Sequence, residues 1–151
     1  MSDFNFVSLI VSTGLGFLSA IGVQELTTKF NNMRKYKCLK ENLIVELEKV
    51  KEDVEQMEPE KVYLNPYNIP IWIGIRESGS MKYIEDQGIF LQLVDIFSTI
   101  EYRNAIESKC FEMCYGKNNY LEDDVVSLLN KGRKEVNDKV MEGIDILNKN
   151  K

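Results

Sequence analysis

No charged residue occurs between Phe4 and Gln24, and this run constrains the chain more than any other feature of it. As an α-helix it is about 32 Å long at about 1.5 Å per residue, which matches a hydrocarbon layer of about 30 Å. A cleavable export signal starts with basic residues and ends in a small-x-small cleavage site. This chain instead begins Met-Ser-Asp-Phe, and Ser19-Ala20 makes a poor cleavage site. Asn5, Ser8, Ser12, Thr13 and Ser19 lower the hydrophobicity, so a buried helix of a soluble bundle is the competing expectation. A retained transmembrane helix is the expectation adopted.

The flanks give it an orientation. Lys29, Arg34, Lys35, Lys37 and Lys40 follow the run, and nothing basic precedes it. Positive residues stay on the cytoplasmic side, so the short N-terminus is expected outside and residues from about 30 onward inside. Glu25 and Lys29 stand four apart in the favourable order, which extends the helix past the membrane surface. Arg34, Lys35, Lys37 and Lys40 are expected to set topology and to attract anionic lipid. A phosphate-bearing ligand is the alternative for the same cluster.

At about 100° per residue, Asn5, Ser8, Ser12, Gly16 and Ser19 fall within an arc of roughly 80°. Phe6, Ile10, Phe17, Leu18 and Ile21 point away from it. Ser8, Ser12, Gly16 and Ala20 form a small-residue stripe of the kind that lets helix backbones approach in a bilayer. Self-association of the span is expected, as a homo-oligomer. Repeated around a ring, the same polar face would line a narrow pore. An anchor with incidental serines is the plainer alternative.

The remainder reads as helices. Leu43, Leu47, Val50, Val54 and Met57 are spaced 4, 3, 4, 3, a coiled-coil-like seam with Glu and Lys, including Glu46 and Lys49, on its outward side. This seam is expected to add repeated contacts to an oligomer. Pro59 ends the helix, and the segment to Pro70 holds all three prolines and reads as a loop. Pro70 fits the first turn of a short helix and Gly79 the position just past its end. A long helix is expected from about Ile89 to Tyr115, facing the core through Phe90, Leu93, Val94, Phe97 and Ile100 and capped by Gly116. Asn119 and Glu122 resemble a capping box for a last helix with Leu121, Val125, Leu128, Gly132, Val136, Val140, Ile144 and Leu147 on one face. The expected fold is all-α: an N-terminal transmembrane helix followed by a cytoplasmic antiparallel helical bundle. Its parts are an outward tail and span over 1–28, a membrane-proximal helix over 29–58 and the bundle over 59–151.

Catalytic chemistry finds little to stand on. The chain has no histidine, which removes Ser-His-Asp and Cys-His nucleophiles and His-ligated zinc. Its net charge of −5 is the wrong sign for a dedicated nucleic-acid binder. Three cysteines, an odd number, fit reduced thiols better than a disulfide framework. Cys110 and Cys114 stand one helical turn apart but read as small core residues, and Asp123 and Asp124 as acids at a helix start. Phosphate-loop, dinucleotide and zinc-protease motifs are all missing from the sequence. No enzyme, cofactor or metal is expected.

One stretch looks specific. Trp72, Arg76, Ser78 and Gly79, followed by a helix ending near Arg103-Asn104, resemble a loose group of small bacterial single-span proteins. These carry a Trp…Ser-Gly motif between a membrane-proximal helix and a hairpin ending in Asn, and the resemblance covers about residues 5–107. It implies residence in the bacterial inner membrane. Some of the group accompany phage defence, where small membrane effectors act as oligomeric channels held or opened by a regulatory protein or by a nucleotide or oligonucleotide signal. On that footing Trp72, Arg76 and Arg103 are candidate ligand or partner contacts. An oligomeric channel effector that compromises the membrane is the implied function, and a passive membrane-anchored scaffold is the alternative.

Overall fold

The computed structural model describes residues 3–59, 61–114 and 123–149, and side chains 3–18, 20 and 114 lie outside that description. Its helices are α1 (Asp3–Gln56), α2 (Pro70–Glu77), α3 (Gln87–Cys114) and α4 (Asp123–Lys149), with a 3₁₀ turn over Ser80–Tyr83. Among the described residues there is no strand, and the protein is all-α. The chain divides into two compact units, Met1–Cys38 and Leu39–Lys151. The division falls within α1.

The first unit is the N-terminal part of α1. Thr27 and Thr28 turn their hydroxyls onto the carbonyls of Val23 and Gln24 one turn back, at 2.8 and 2.9 Å. Among the described residues, no helix is long and apolar enough to cross a membrane. Most of the uncharged run lies outside the described side chains, including Asn5, Ser8, Ser12, Gly16 and Ala20. Ser19 is described and exposed.

The second unit is a bundle built on the apolar spacings of α1, α3 and α4. Leu43, Leu47 and Val50 from α1, Leu93, Ile96, Phe97 and Ile100 from α3, and Val136, Val140 and Leu147 from α4 are fully buried. Each such side chain contributes about 1.5–3 kcal/mol on leaving water. The chain itself thus covers the core of the Leu43–Met57 seam, which is not free for the intermolecular contacts expected of it. Helices α3 and α4 run antiparallel, since Asp95, Arg103 and Glu107 pair in order with Lys139, Glu135 and Arg133. Gly143 lets α4 approach closely: a Cβ there would stand 2.9 Å from Leu47 Cδ1 and 3.1 Å from Ile96 Cδ1.

The buried face of α4 keeps Gly132, Val136, Val140 and Leu147 of the expected one, and departs from it in its first turns. It passes through Leu129, Gly132, Arg133 and Val136, and Leu128 is 52% exposed. Arg133 lies on the buried side and makes its hydrogen bonds there. Gly116, Asn119, Leu121 and Glu122 lie outside the described residues, as does the Cys114 side chain, while Cys110 is buried.

Candidate functional site

Helix α2 begins with Pro70, and Ile69 before it offers no side-chain cap. The amides of Ile71 and Trp72 therefore need an outside acceptor, and Glu46 of α1 supplies it. Its Oε1 accepts from Ile71 N at 2.5 Å and its Oε2 from Trp72 N at 2.8 Å. The carboxylate sits at the positive end of the helix dipole, where an anion is favoured. Burial raises the Glu46 carboxyl above its ordinary range, and the two backbone donors offset part of that rise. Glu46 was expected on the outward side with Lys49. It is buried because an uncapped helix start lies opposite it.

Trp72 is buried and stacks on Phe97 with ring centroids 4.3 Å apart and planes 6° from parallel. Arg76 lies at the surface and pairs with Glu101 of α3 at 2.6 Å. Ser78 closes α2 by donating to the Ile75 carbonyl at 3.2 Å, and Gly79 takes a left-handed φ of 68°, as its place past a helix end requires. Asn104 meets the backbone of Tyr67 twice. Its Oδ1 accepts from Tyr67 N at 3.2 Å, and its Nδ2 donates to Tyr67 O at 2.8 Å. The Trp…Ser-Gly…Asn pattern is thus the docking apparatus of α2 and of the loop leading into it.

Tyr67 itself is buried, and its hydroxyl has no hydrogen-bond partner among the described residues. Burial pushes that phenol well above its ordinary pKa. Tyr67→Phe removes an unpaired polar group while keeping the ring, so stability is expected to stay level or rise by up to about 1 kcal/mol. Thermal unfolding checks this. A loss above about 1 kcal/mol would mean that the hydroxyl has a partner.

A second anchor holds the same loop. Arg133 donates through Nε to Glu107 Oε1 at 3.0 Å and through Nη2 to Glu107 Oε2 at 3.2 Å. It also donates to the carbonyls of Glu58 at 3.0 Å and Lys61 at 2.5 Å. Glu107 accepts from Tyr63 N at 3.2 Å, and the Arg133 guanidinium lies 5.3 Å from the Tyr63 ring centroid. Both charged partners are buried. The pair gives backbone groups of an irregular segment the partners they lose on leaving water.

Arg103 does something different. Its guanidinium crosses α4 over Gly132, where a Cβ would come within 2.5 Å of Nη1, and it pairs with Glu135. Its Nε is buried without a partner among the described residues. Arg103, Leu128, Lys131, Lys134, Glu135 and Asp138 line a groove of about 630 Å³ between α3 and α4, continued by Lys139 and Glu142. Lys139 is engaged by Asp95 at 2.7 Å and by Glu142 at 3.2 Å. Bases and acids are nearly balanced, so the groove suits a polar partner of mixed charge better than a dense anion. Of the three expected contacts, only Arg103 lines a groove. Trp72 lies in the core and Arg76 in a surface ion pair. Among the described residues no group of His, Cys, Asp and Glu is placed to hold a metal.

Glu107 and Arg133 escaped the sequence reading and Glu46 was placed on the wrong side of its helix, whereas Gly132 was placed on the buried face of α4, where it lies. The signal for Glu46 was its place among Leu43, Leu47 and Val50, where an acid interrupts an apolar face. Arg133 carried the matching signal beside Gly132 and Val136. In the first unit, Arg34 lies 5.5 Å from the Phe30 ring centroid, and Lys35 and Lys37 each engage another group, as Lys40 does in the second unit. Compared with protein-family models, with curated proteins and with solved structures, the chain matches none.

Proposed function

We propose that this is an integral membrane protein of the bacterial inner membrane, with its N-terminus outside and its helical bundle in the cytoplasm. It acts as an oligomeric effector in phage defence that opens a path through the membrane when the bundle receives a signal. The observation that carries the anchoring is the uncharged run Phe4–Gln24, with basic residues on one side only, on a helix continuous from Asp3 to Gln56. The pore reading rests on the polar arc of Asn5, Ser8, Ser12 and Ser19 and on the group the chain resembles. The groove at Arg103 and Leu128, with its mixed charges, is the place on the bundle proposed for a regulatory protein partner.

Ions crossing hydrocarbon need groups that replace part of their hydration. Ser12→Leu/Ser19→Leu is therefore expected to abolish depolarisation of cells expressing the protein with its activating signal or without its silencing partner. Insertion should survive, because the run becomes more apolar. Dye-reported membrane potential at matched membrane levels checks this. A double variant that leaks like wild type would contradict the pore.

A passive anchored scaffold is the second reading. The two anchors on the loop before α2 favour it, because they hold the bundle in one arrangement rather than two. That reading expects no ion leak under any condition and no effect of the serine substitutions.

A further inference from the structure

Beyond Ile21, α1 carries a row of large apolar side chains left exposed among the described residues. Val23, Leu26, Phe30 and Met33 are 63%, 69%, 60% and 60% exposed. Their spacing of 3, 4 and 3 is that of a coiled-coil seam. It is also in register with the polar arc upstream. Asn5, Ser8, Ser12, Gly16 and Ser19 lead into Val23, Leu26, Phe30 and Met33 within one arc of roughly 100° at about 100° per residue.

The chemistry of that single face changes along the helix. Up to Ser19 it is small and polar, while the opposite side carries Phe6, Ile10, Phe17 and Ile21. From Val23 onward it is large and apolar, while the opposite side carries Gln24, Thr28, Asn31, Asn32 and Lys35. Each half is what helix association demands in its own solvent. In lipid, contacts use small residues and hydroxyls, since apolar bulk gains nothing there. In water, burial of large apolar side chains drives contact.

We infer that this face is the contact between copies of the chain, running parallel and without interruption from the span through Met33. The inference deepens the proposed function and rests on its membrane-spanning run. On a helix that leaves hydrocarbon near Gln24, Phe30 and Met33 stand about 9 and 14 Å farther out, at about 1.5 Å per residue. A headgroup layer of about 5–7 Å does not reach them, so lipid is not their cover. A second copy is, and its N-terminus lies on the same side of the membrane, which fixes the parallel sense. Lys29 and Arg34 border the face on opposite edges, so neighbouring copies bring like charges together there. Salt screens that repulsion and tightens the contact, whereas attachment to anionic lipid would loosen.

Sedimentation of the full chain in a mild uncharged detergent tests this. Wild type is expected to self-associate at micromolar concentration, more tightly at 0.5 M than at 0.05 M salt, as the Debye length falls from about 14 to about 4 Å. Leu26→Asp/Phe30→Asp should weaken association by roughly 100-fold, about tenfold for each buried side chain lost. Asn31→Asp/Asn32→Asp adds the same charge to the opposite side and should change nothing. A monomeric wild type, equal association in Leu26→Asp/Phe30→Asp, or association that weakens with salt would each overturn the inference. Flotation of the same samples with phosphatidylcholine vesicles after alkaline washing reports on the span separately. A chain that fails to float contradicts the span, and sedimentation still decides the seam.

Discussion

Replacing Arg133 by alanine is expected to lower folding stability by about 4 kcal/mol. The substitution leaves Glu107 buried without its counter-charge and removes the donors to the Glu58 and Lys61 carbonyls. Against a total stability of about 5–15 kcal/mol, that is a large share. Thermal unfolding of the full chain, followed by helical circular dichroism, should show a midpoint lowered by more than about 10 °C. Arg133→Met/Glu107→Leu should recover at least half of the loss, since no lone charge then stays buried. A single substitution costing less than about 1 kcal/mol would mean that water or another group reaches Glu107.

Removal of the Glu46 carboxylate ranks next. Glu46→Ala leaves the amides of Ile71 and Trp72 without acceptors at the start of α2, and a loss of about 3 kcal/mol is expected. Glu46→Gln keeps the shape and one acceptor, so its loss near neutral pH should be about 1 kcal/mol. Wild type also differs from both variants in pH dependence. Burial raises the Glu46 carboxyl above its usual 4.5, so the folded chain holds that proton to higher pH than the unfolded chain does. Stability from this group therefore falls as pH rises from 4.5 through the raised value, and is level above it. The difference between wild type and Glu46→Gln, measured by urea unfolding from pH 4 upward, should drift against wild type over that window. A flat difference would mean that the carboxylate is better solvated than its burial suggests.

These two residues also show where the sequence stopped being legible. Apolar spacing found every helix of the bundle, because period alone places Leu93, Phe97 and Ile100 on one side of α3. Pro70 and Gly79 marked the limits of α2 by local backbone chemistry, and the structure keeps both. Glu46 and Arg133 failed the same test, because a charged residue on a helix is normally solvated. What buries each is a backbone segment distant in sequence: the start of α2 for Glu46, and the loop after α1 for Arg133. Spacing along one helix carries no information about such partners. Leu128 was misplaced because Leu129 and Arg133 take the buried side of that stretch, and Leu128 is left exposed. Asn104 was visible as the end of a motif, but its purpose became visible only with Tyr67 beside it.

The exposed row on α1 was legible in principle, since Val23, Leu26, Phe30 and Met33 keep the register of the serines before them. It was overlooked because the basic cluster interleaved with it reads first as a topology signal. The seam from Leu43 onward drew the assignment instead, and the bundle uses that seam internally.

Everything proposed about this protein's work depends on the run Phe4–Gln24 lying in a membrane. Alkaline carbonate extraction of membranes from cells expressing the full chain measures that directly. The account predicts that the protein stays in the membrane pellet and leaves it only with detergent. Release of the whole chain into the carbonate supernatant would contradict it.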